Sequence, residues 1–416
     1  MYQLLSGMRV VECASFIAAP SCALHLQQMG AQVIRIDPMG GGPDAHRWPL
    51  SSNGSSLYWE GLNKGKLSIA VDFASAEGRA LVAQLVCAPG DGGGLFVTNF
   101  PADGFLSHER LRQGRADLIT ARIMGWADGT PAVDYTVNAA IGMPYMTGPP
   151  GGSGGGTGPV EPAEPVNHVL PAWDLLAGAY AAFALLAAER HRKATGQGQE
   201  VRVPLSDIAI ASLGHLGQIA EVHSGTDRPK MGNTLFGAFG RDFKAADGKR
   251  LMVVAITPRQ WSGLVKALDL GAAIVGIEAA LGVSFMKDEG LRFTHRDVIT
   301  PLVEAAIARR SSDALGVVFD ANGVCWGPYH TLKSALTQEP RLVSANPLFS
   351  PVTHPSGLTY PTPGAAATMV QMERSDALRA PRQGEHTDQV LAQLLGLSST
   401  QIGALHDSGR VAGPQR

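Results

Sequence analysis

Residues 8–37 read MRVVECASFIAAPSCALHLQQMGAQVIRID, and their pattern decides the fold. Residues 8–13 form a mostly apolar run of strand length, and 32–37 form another. Between them, 18–29 carry Pro20 in the first turn and Gly30 just past the last, an arrangement that opens and closes a helix. Strand, helix and strand in so short a span begin a doubly wound parallel sheet of the nucleotide-binding kind. The turn between the first two is ASFIAAP, however, and lacks the GxGxxG spacing that brings backbone against a pyrophosphate. Asp37 ends the second strand, where a ribose-binding acid would stand. Without those glycines a dinucleotide site is not expected.

The alternation continues outward. Residues 67–71 read as a strand, and Ser75 caps a helix running to about residue 86. Residues 95–98 are a strand ahead of Asn99, Phe100 and Pro101, and ADLITARIMGW supplies another. The composition shifts near residue 225. There GRDFKAADGKRLMVVAI reads as a hairpin turning at Ala246, Asp247 and Gly248, with helical segments over about 258–268 and 292–309. We expect an α/β fold: residues 1–224 form a large domain with an open, Rossmann-like parallel sheet. Residues 225–334 form a smaller inserted α+β domain, and 335–416 return to the large one. Residues 147–166 are rich in Gly and Pro and read as a surface loop. Their place just ahead of the next element makes them a candidate lid.

That element spans residues 168–203, HVLPAWDLLAGAYAAFALLAAERHRKATGQGQEVRV. Leu175, Leu176, Ala179, Tyr180, Phe183, Leu186 and Ala187 recur at three- and four-residue spacing, the signature of a buried, alanine-rich helix. Basic residues crowd its last turn, and Gly196 ends it. Asp174 stands at its start, where free backbone N–H groups and the helix dipole favour a carboxylate. On local pattern alone it reads as an N-cap. A second helix is expected over 206–222, with His215 among apolar residues as a core histidine.

Composition narrows the function. Charged residues make up 17% of the 416, with a net charge of −2, so there is no electrostatic footprint for nucleic acid or an anionic membrane. MYQLLSGMRVVE lacks a basic segment followed by an apolar run, and no signal peptide is expected. No uncharged stretch reaches ~18 apolar residues, which argues against a membrane span. Cys13, Cys22, Cys87 and Cys325 show no CxxC spacing and read as free thiols, with no metal site. The expectation is a cytoplasmic protein.

Several blocks carry a resemblance that covers nearly the whole chain. They are IAAP (17–20), NKGKLSIAVDF, LFVTNFP, VDYTVNAAIG, the 168–203 helix with ATGQGQEVRV and PLSD behind it, and GEHTDQVLAQLLGL. Together they resemble the class III CoA-transferases. The resemblance implies that Asp174 is a nucleophile and that coenzyme A enters as part of the substrate, with no tightly bound cofactor. It also implies that Ile17, Ala18, Arg47, Val71, Phe73, Asn99, Phe100, Asp134 and Tyr135 form the CoA groove. There are departures. Pro38 and Ala102 stand where relatives carry arginine, leaving Arg35 and Arg47 as candidates for the CoA phosphates. Asn167, His168, His215 and Arg241 are candidates for holding an acyl carboxylate.

Further blocks, among them VVECASFIAAP, VNHVLPAWD, FGAFGRDF and DGKRLMVV, resemble a branch in which CoA moves between the two carboxyls of one branched, unsaturated dicarboxylic acid. The substrate implied is a CoA thioester of such an acid. Racemases of the same fold need a base on each face of the α-carbon. The span between His108 and His168 holds no histidine to supply one. Formyl-CoA-type relatives carry a tetraglycine loop in the small domain, whereas here the long glycine run lies at 151–156. The resemblance finally implies a homodimer of two interlocked chains.

Overall fold

The computed structural model describes residues 1–150 and 164–414. The glycine run at 151–156, and with it the lid reading, lies outside the described residues. The chain divides into two compact units: Met1–Ile141, His168–Ser224 and Pro340–Arg416 form the first, and Gly142–Asn167 with Gly225–Glu339 form the second.

The first unit is built on β1 (Arg9–Cys13), β2 (Gln32–Pro38), β3 (Leu67–Val71), β4 (Leu95–Thr98), β5 (Ile119–Met124) and β6 (Glu200–Pro204). They lie in the order β3-β2-β1-β4-β5-β6, all parallel, and the short strand Val411–Ala412 runs antiparallel along β3. This is doubly wound topology, with its switch point between β1 and β4. The helices up to residue 224 are α1 (Ala18–Gln28), α2 (Leu57–Leu62), α3 (Ala76–Val86), α4 (His108–Gly114), α5 (Asp134–Ala140), α6 (Met143–Met146), α7 (Ala172–Thr195), α8 (Leu205–His215) and α9 (Gln218–His223). Ser75 caps α3 by accepting from the Gly78 N–H at 3.0 Å. The helix expected over 206–222 is broken at Gly217, whose φ of +79° a residue with a Cβ adopts at a cost.

The second unit folds around the antiparallel strands β7 (Phe239–Lys244), β8 (Arg250–Ala255) and β9 (Cys325–Pro328). Its hairpin turns at Gly248, with φ +82°. Phe239, Trp261, Phe285 and Phe319 fill its core. The segment expected as one helix over 292–309 is two, Glu289–Thr294 and Arg296–Ile307, meeting at His295.

Helix α7 runs through the first unit with Ala177, Gly178, Ala181, Ala182, Leu185 and Ala188 buried. Small residues bring it close to α1. A Cβ on Gly178 would lie 1.9 Å from Ser21 Oγ and 2.6 Å from the Ala18 carbonyl. By length and mean hydropathy α7 is long and apolar enough to cross a membrane, yet this buried face packs against α1, β5 and β6. This corrects the stripe read as buried: Leu176, Ala179, Tyr180, Phe183 and Ala187 are exposed, because it is the small-residue face that packs on α1 and the sheet.

A charged network is buried beneath the amino-terminal strands. Arg35 on β2 binds Asp37 at 2.9 Å, Asp44 at 3.1 Å and Glu12 of β1 at 3.2 Å. Lys66 reaches Glu12 at 2.7 Å and the Pro20 carbonyl at 3.0 Å. This corrects an expectation: Arg35, fully enclosed by acids, is not free for a phosphate, and both lysines of NKGK are buried as well. Asp37 likewise spends its carboxylate on Arg35 and not on a ribose. Through Asp44 the network tethers the loop that carries Arg47. Replacing Arg35 with Met leaves three buried carboxylates facing Lys66 alone. The expected loss is about 3–5 kcal/mol of stability, since breaking a buried ion pair strands charge. Denaturant unfolding of the intact protein measures it, and a loss under about 1 kcal/mol would contradict this account.

Candidate active site

The carboxyl ends of β1, β4 and β5 open into a cavity of about 560 Å³ within the first unit. It lies at the switch point, where open α/β sheets bind ligands. Asn99, just past β4, ties the two sides of that point together. Its side chain accepts from the Ser15 N–H at 3.0 Å and donates to the Ser15 carbonyl at 2.8 Å. Next in the β1 loop stands Phe16, with φ +67°, a strained value for an aromatic residue of the kind that gathers at functional sites. The Arg47 guanidinium lies 5.5 Å from the Phe16 ring and 5.2 Å from the Tyr58 ring.

Asp174 enters this cavity from the third residue of α7. It is not the cap of its helix. Pro171 takes the N-cap position and offers no side-chain bond, and the cap comes from another element. Asp134, the first residue of α5, accepts the Trp173 N–H at 2.7 Å and the Asp174 N–H at 3.1 Å through Oδ2. Its Oδ1 meets His168 Nε2 at 2.8 Å. One turn on along α5, Asn138 accepts the Trp173 indole N–H at 3.1 Å. Two residues of α5 therefore fix the start of α7.

This arrangement reverses an expectation. The N–H groups that were to keep Asp174 ionised are bound to Asp134, whose own negative charge stands nearby. Burial pushes the Asp174 carboxyl up to about 7, with Asp134 adding to the rise and Arg47 opposing it. A carboxylate this basic is a better nucleophile than a solvated one, and it lies in a concave site with a single facing guanidinium.

Of the residues singled out in the sequence, Ile17, Ala18, Arg47, Asn99, Asp134, Tyr135 and Asp174 all line the cavity. Tyr135 also donates to the Val169 carbonyl at 3.2 Å. The others do not. Val71 has no exposed surface and belongs to the core, because β3 is covered on both faces. Phe73 and Phe100 pack against that core and edge-on against each other, their rings 6.4 Å apart. His215 is exposed rather than in the core. The buried side of α8 is Leu205, Ala209 and Leu213, and position 215 falls off that stripe. His168 stands behind the site as the partner of Asp134. Asn167 and Arg241 belong to the second unit, where Arg241 lines a separate cavity. Tyr58 and Trp48 line the Asp174 cavity without having been anticipated. Trp48 adjoins Arg47, whereas nothing in SLYWEGL marks Tyr58. Among the described residues no cluster of three or more His, Cys, Asp or Glu could hold a metal ion.

Similarity to known proteins agrees with this geometry. The sequence model of CoA-transferase family III matches residues 5–387. The chain is 48% identical over 418 residues to 2-methylfumaryl-CoA isomerase of Chloroflexus aurantiacus, covering 100% of both chains. It is 26% identical to human succinyl-CoA:glutarate CoA-transferase, over 98% of this chain and 90% of that one. In fold it is similar to a CAIB/BAIF family protein from Brucella suis, with a TM-score of 0.74 at 24% identity, over 95% of this chain and 100% of that one. With a family match along most of its length and a full-length relative at nearly half identity, this chain belongs to CoA-transferase family III and is an enzyme.

Proposed function

We propose that the protein is a 2-methylfumaryl-CoA (mesaconyl-CoA) isomerase, an intramolecular CoA transferase that moves CoA between the C1 and C4 carboxyls of one acid. The observation that carries this reading is the 48% identity, over the whole of both chains as aligned, to a relative of that name. The half-buried, basic carboxylate of Asp174 supports the chemistry.

In this reading the Asp174 carboxylate adds to the thioester carbonyl and CoA leaves as thiolate, giving a mixed anhydride. The thiolate then attacks the Asp174 carbonyl of that anhydride and frees the substrate carboxylate. CoA now sits on Asp174 as an aspartyl thioester. The acid's other carboxylate attacks that thioester, forming a second anhydride and releasing the thiolate again. Attack of the thiolate on the acid's own carbonyl gives the product and regenerates Asp174. No atom is lost, and no oxidant or metal is called for. Because the acid carries both carboxyls, the acceptor can reach an effective concentration on the order of 10⁵ M.

Racemisation is less well supported. It needs bases on both faces of the α-carbon, and the described lining of the Asp174 cavity contains no histidine. Transfer between two separate acids is the stronger alternative, since relatives at 26–27% identity bear such names.

The two transfer readings separate cleanly in one experiment. Incubation with the C1 thioester alone should yield the C4 thioester by ¹³C NMR, and labelled free mesaconate added during turnover should stay out of the product. Label entering the thioester at a rate near turnover would leave only the intermolecular reaction.

The acid–base state of Asp174 makes a second test. Only the ionised carboxylate attacks, so kcat/KM should rise with pH and level off above about 7, the value burial gives the free enzyme. Asp134→Asn removes the neighbouring negative charge that helps raise Asp174, so the ascending limb should move to lower pH. A limb that stays in place, or moves to higher pH, would contradict the role given to Asp134.

A further inference from the structure

The cavity that holds Asp174 also holds a polar group that the protein itself leaves unused. Tyr58, the second residue of α2, lines the cavity. Its hydroxyl is shut off from solvent and has no hydrogen-bond partner among the described residues. Leaving a buried O–H unsatisfied destabilises the fold, so its persistence calls for a reason. The ring itself is well placed, with the Arg47 guanidinium 5.2 Å from its centroid and Ser56 capping the helix below it. Burial pushes the phenol up to about 12, with Arg47 opposing and Asp174 adding to the rise. It therefore stays protonated, and a donor, throughout the range in which Asp174 titrates.

The proposed reaction needs such a donor. When an Asp174 oxygen bonds to the thioester carbon, the C=O electron pair moves onto the carbonyl oxygen, and a tetrahedral alkoxide forms. When the C–S bond breaks, the pair returns and the thiolate leaves. A helix amino terminus is the usual source of N–H groups for that oxygen. At α7 the Trp173 and Asp174 N–H groups are already held by Asp134. We infer that Tyr58 is a catalytic residue whose hydroxyl donates a hydrogen bond to the alkoxide oxygen of the acyl group under attack by Asp174. The proton stays on the phenol, and the bond strengthens as charge builds on the oxygen, so it favours the transition state over the bound thioester. The inference rests on the proposed isomerase reading.

Tyr58→Phe keeps the ring beneath Arg47 and removes the hydroxyl alone. Measured beside the wild type on the purified C1 thioester, the variant should lose about 10²-fold in kcat. KM should change little, and thermal melting should be unchanged or slightly raised. A kcat equal to wild type would overturn the assignment. So would a higher KM at unchanged kcat, which would make the phenol a contact to the bound substrate's carboxylate instead. A wild type that does not convert the thioester would sink the isomerase reading and this inference with it. A working wild type with an undiminished variant sinks Tyr58 only.

Discussion

Two hydrogen bonds from the first turn of α7 to one buried carboxylate set up the rest of the site. Asp134 takes the Trp173 and Asp174 N–H groups, and so the helix dipole is answered by a residue from another helix. Asp174 is left at the same helix start without those donors, partly buried and beside a second negative charge. Each of these factors favours its protonated form, and only Arg47 opposes them. An acid in ordinary surroundings would be fully ionised and weakly nucleophilic at neutral pH. This one is poised near neutrality, where basicity and ionisation are both available.

The scaffold serves that placement at longer range. Gly178 lies one turn beyond Asp174, and its missing side chain lets α7 settle against Ser21 and the Ala18 carbonyl of α1. The amino ends of the two helices thus meet at the sheet's switch point. Beneath them, Arg35 gathers acids from β1, β2 and the following loop. Buried ion networks of this kind contribute little net stability compared with an apolar core, but they fix geometry. Here the geometry fixed is that of the loop leading to Arg47, the cation that faces Asp174.

Much of this was legible from the chain alone where the signal is local. Alternating apolar runs, Ser75 as a cap, Pro20 inside α1 and Gly196 after α7 report structure within a few residues of themselves, and those elements stand where the pattern places them. Asp174 was marked by its place at a helix start and by resemblance, and the structure puts it in a cavity with six other residues singled out in the same way. What stayed hidden depends on partners far away in sequence. Lys66 looks like a surface lysine until Glu12, 54 residues earlier, is brought beside it. Asp134 looks like a groove residue until α7, 40 residues later, docks on it. Val71 and His215 were misjudged for a related reason. Which face of a strand or helix is covered is decided by packing, and a short apolar run does not say which.

The central claim is that Asp174 carries CoA between the two carboxyls. Mass spectrometry of enzyme quenched during turnover of the thioester, with hydroxylamine or borohydride trapping, tests it directly. The account predicts a modification confined to the peptide containing Asp174 and absent from the Asp174→Ala protein, which should be folded and inactive. Turnover that persists in that variant, or a trapped adduct on any other residue, would contradict it.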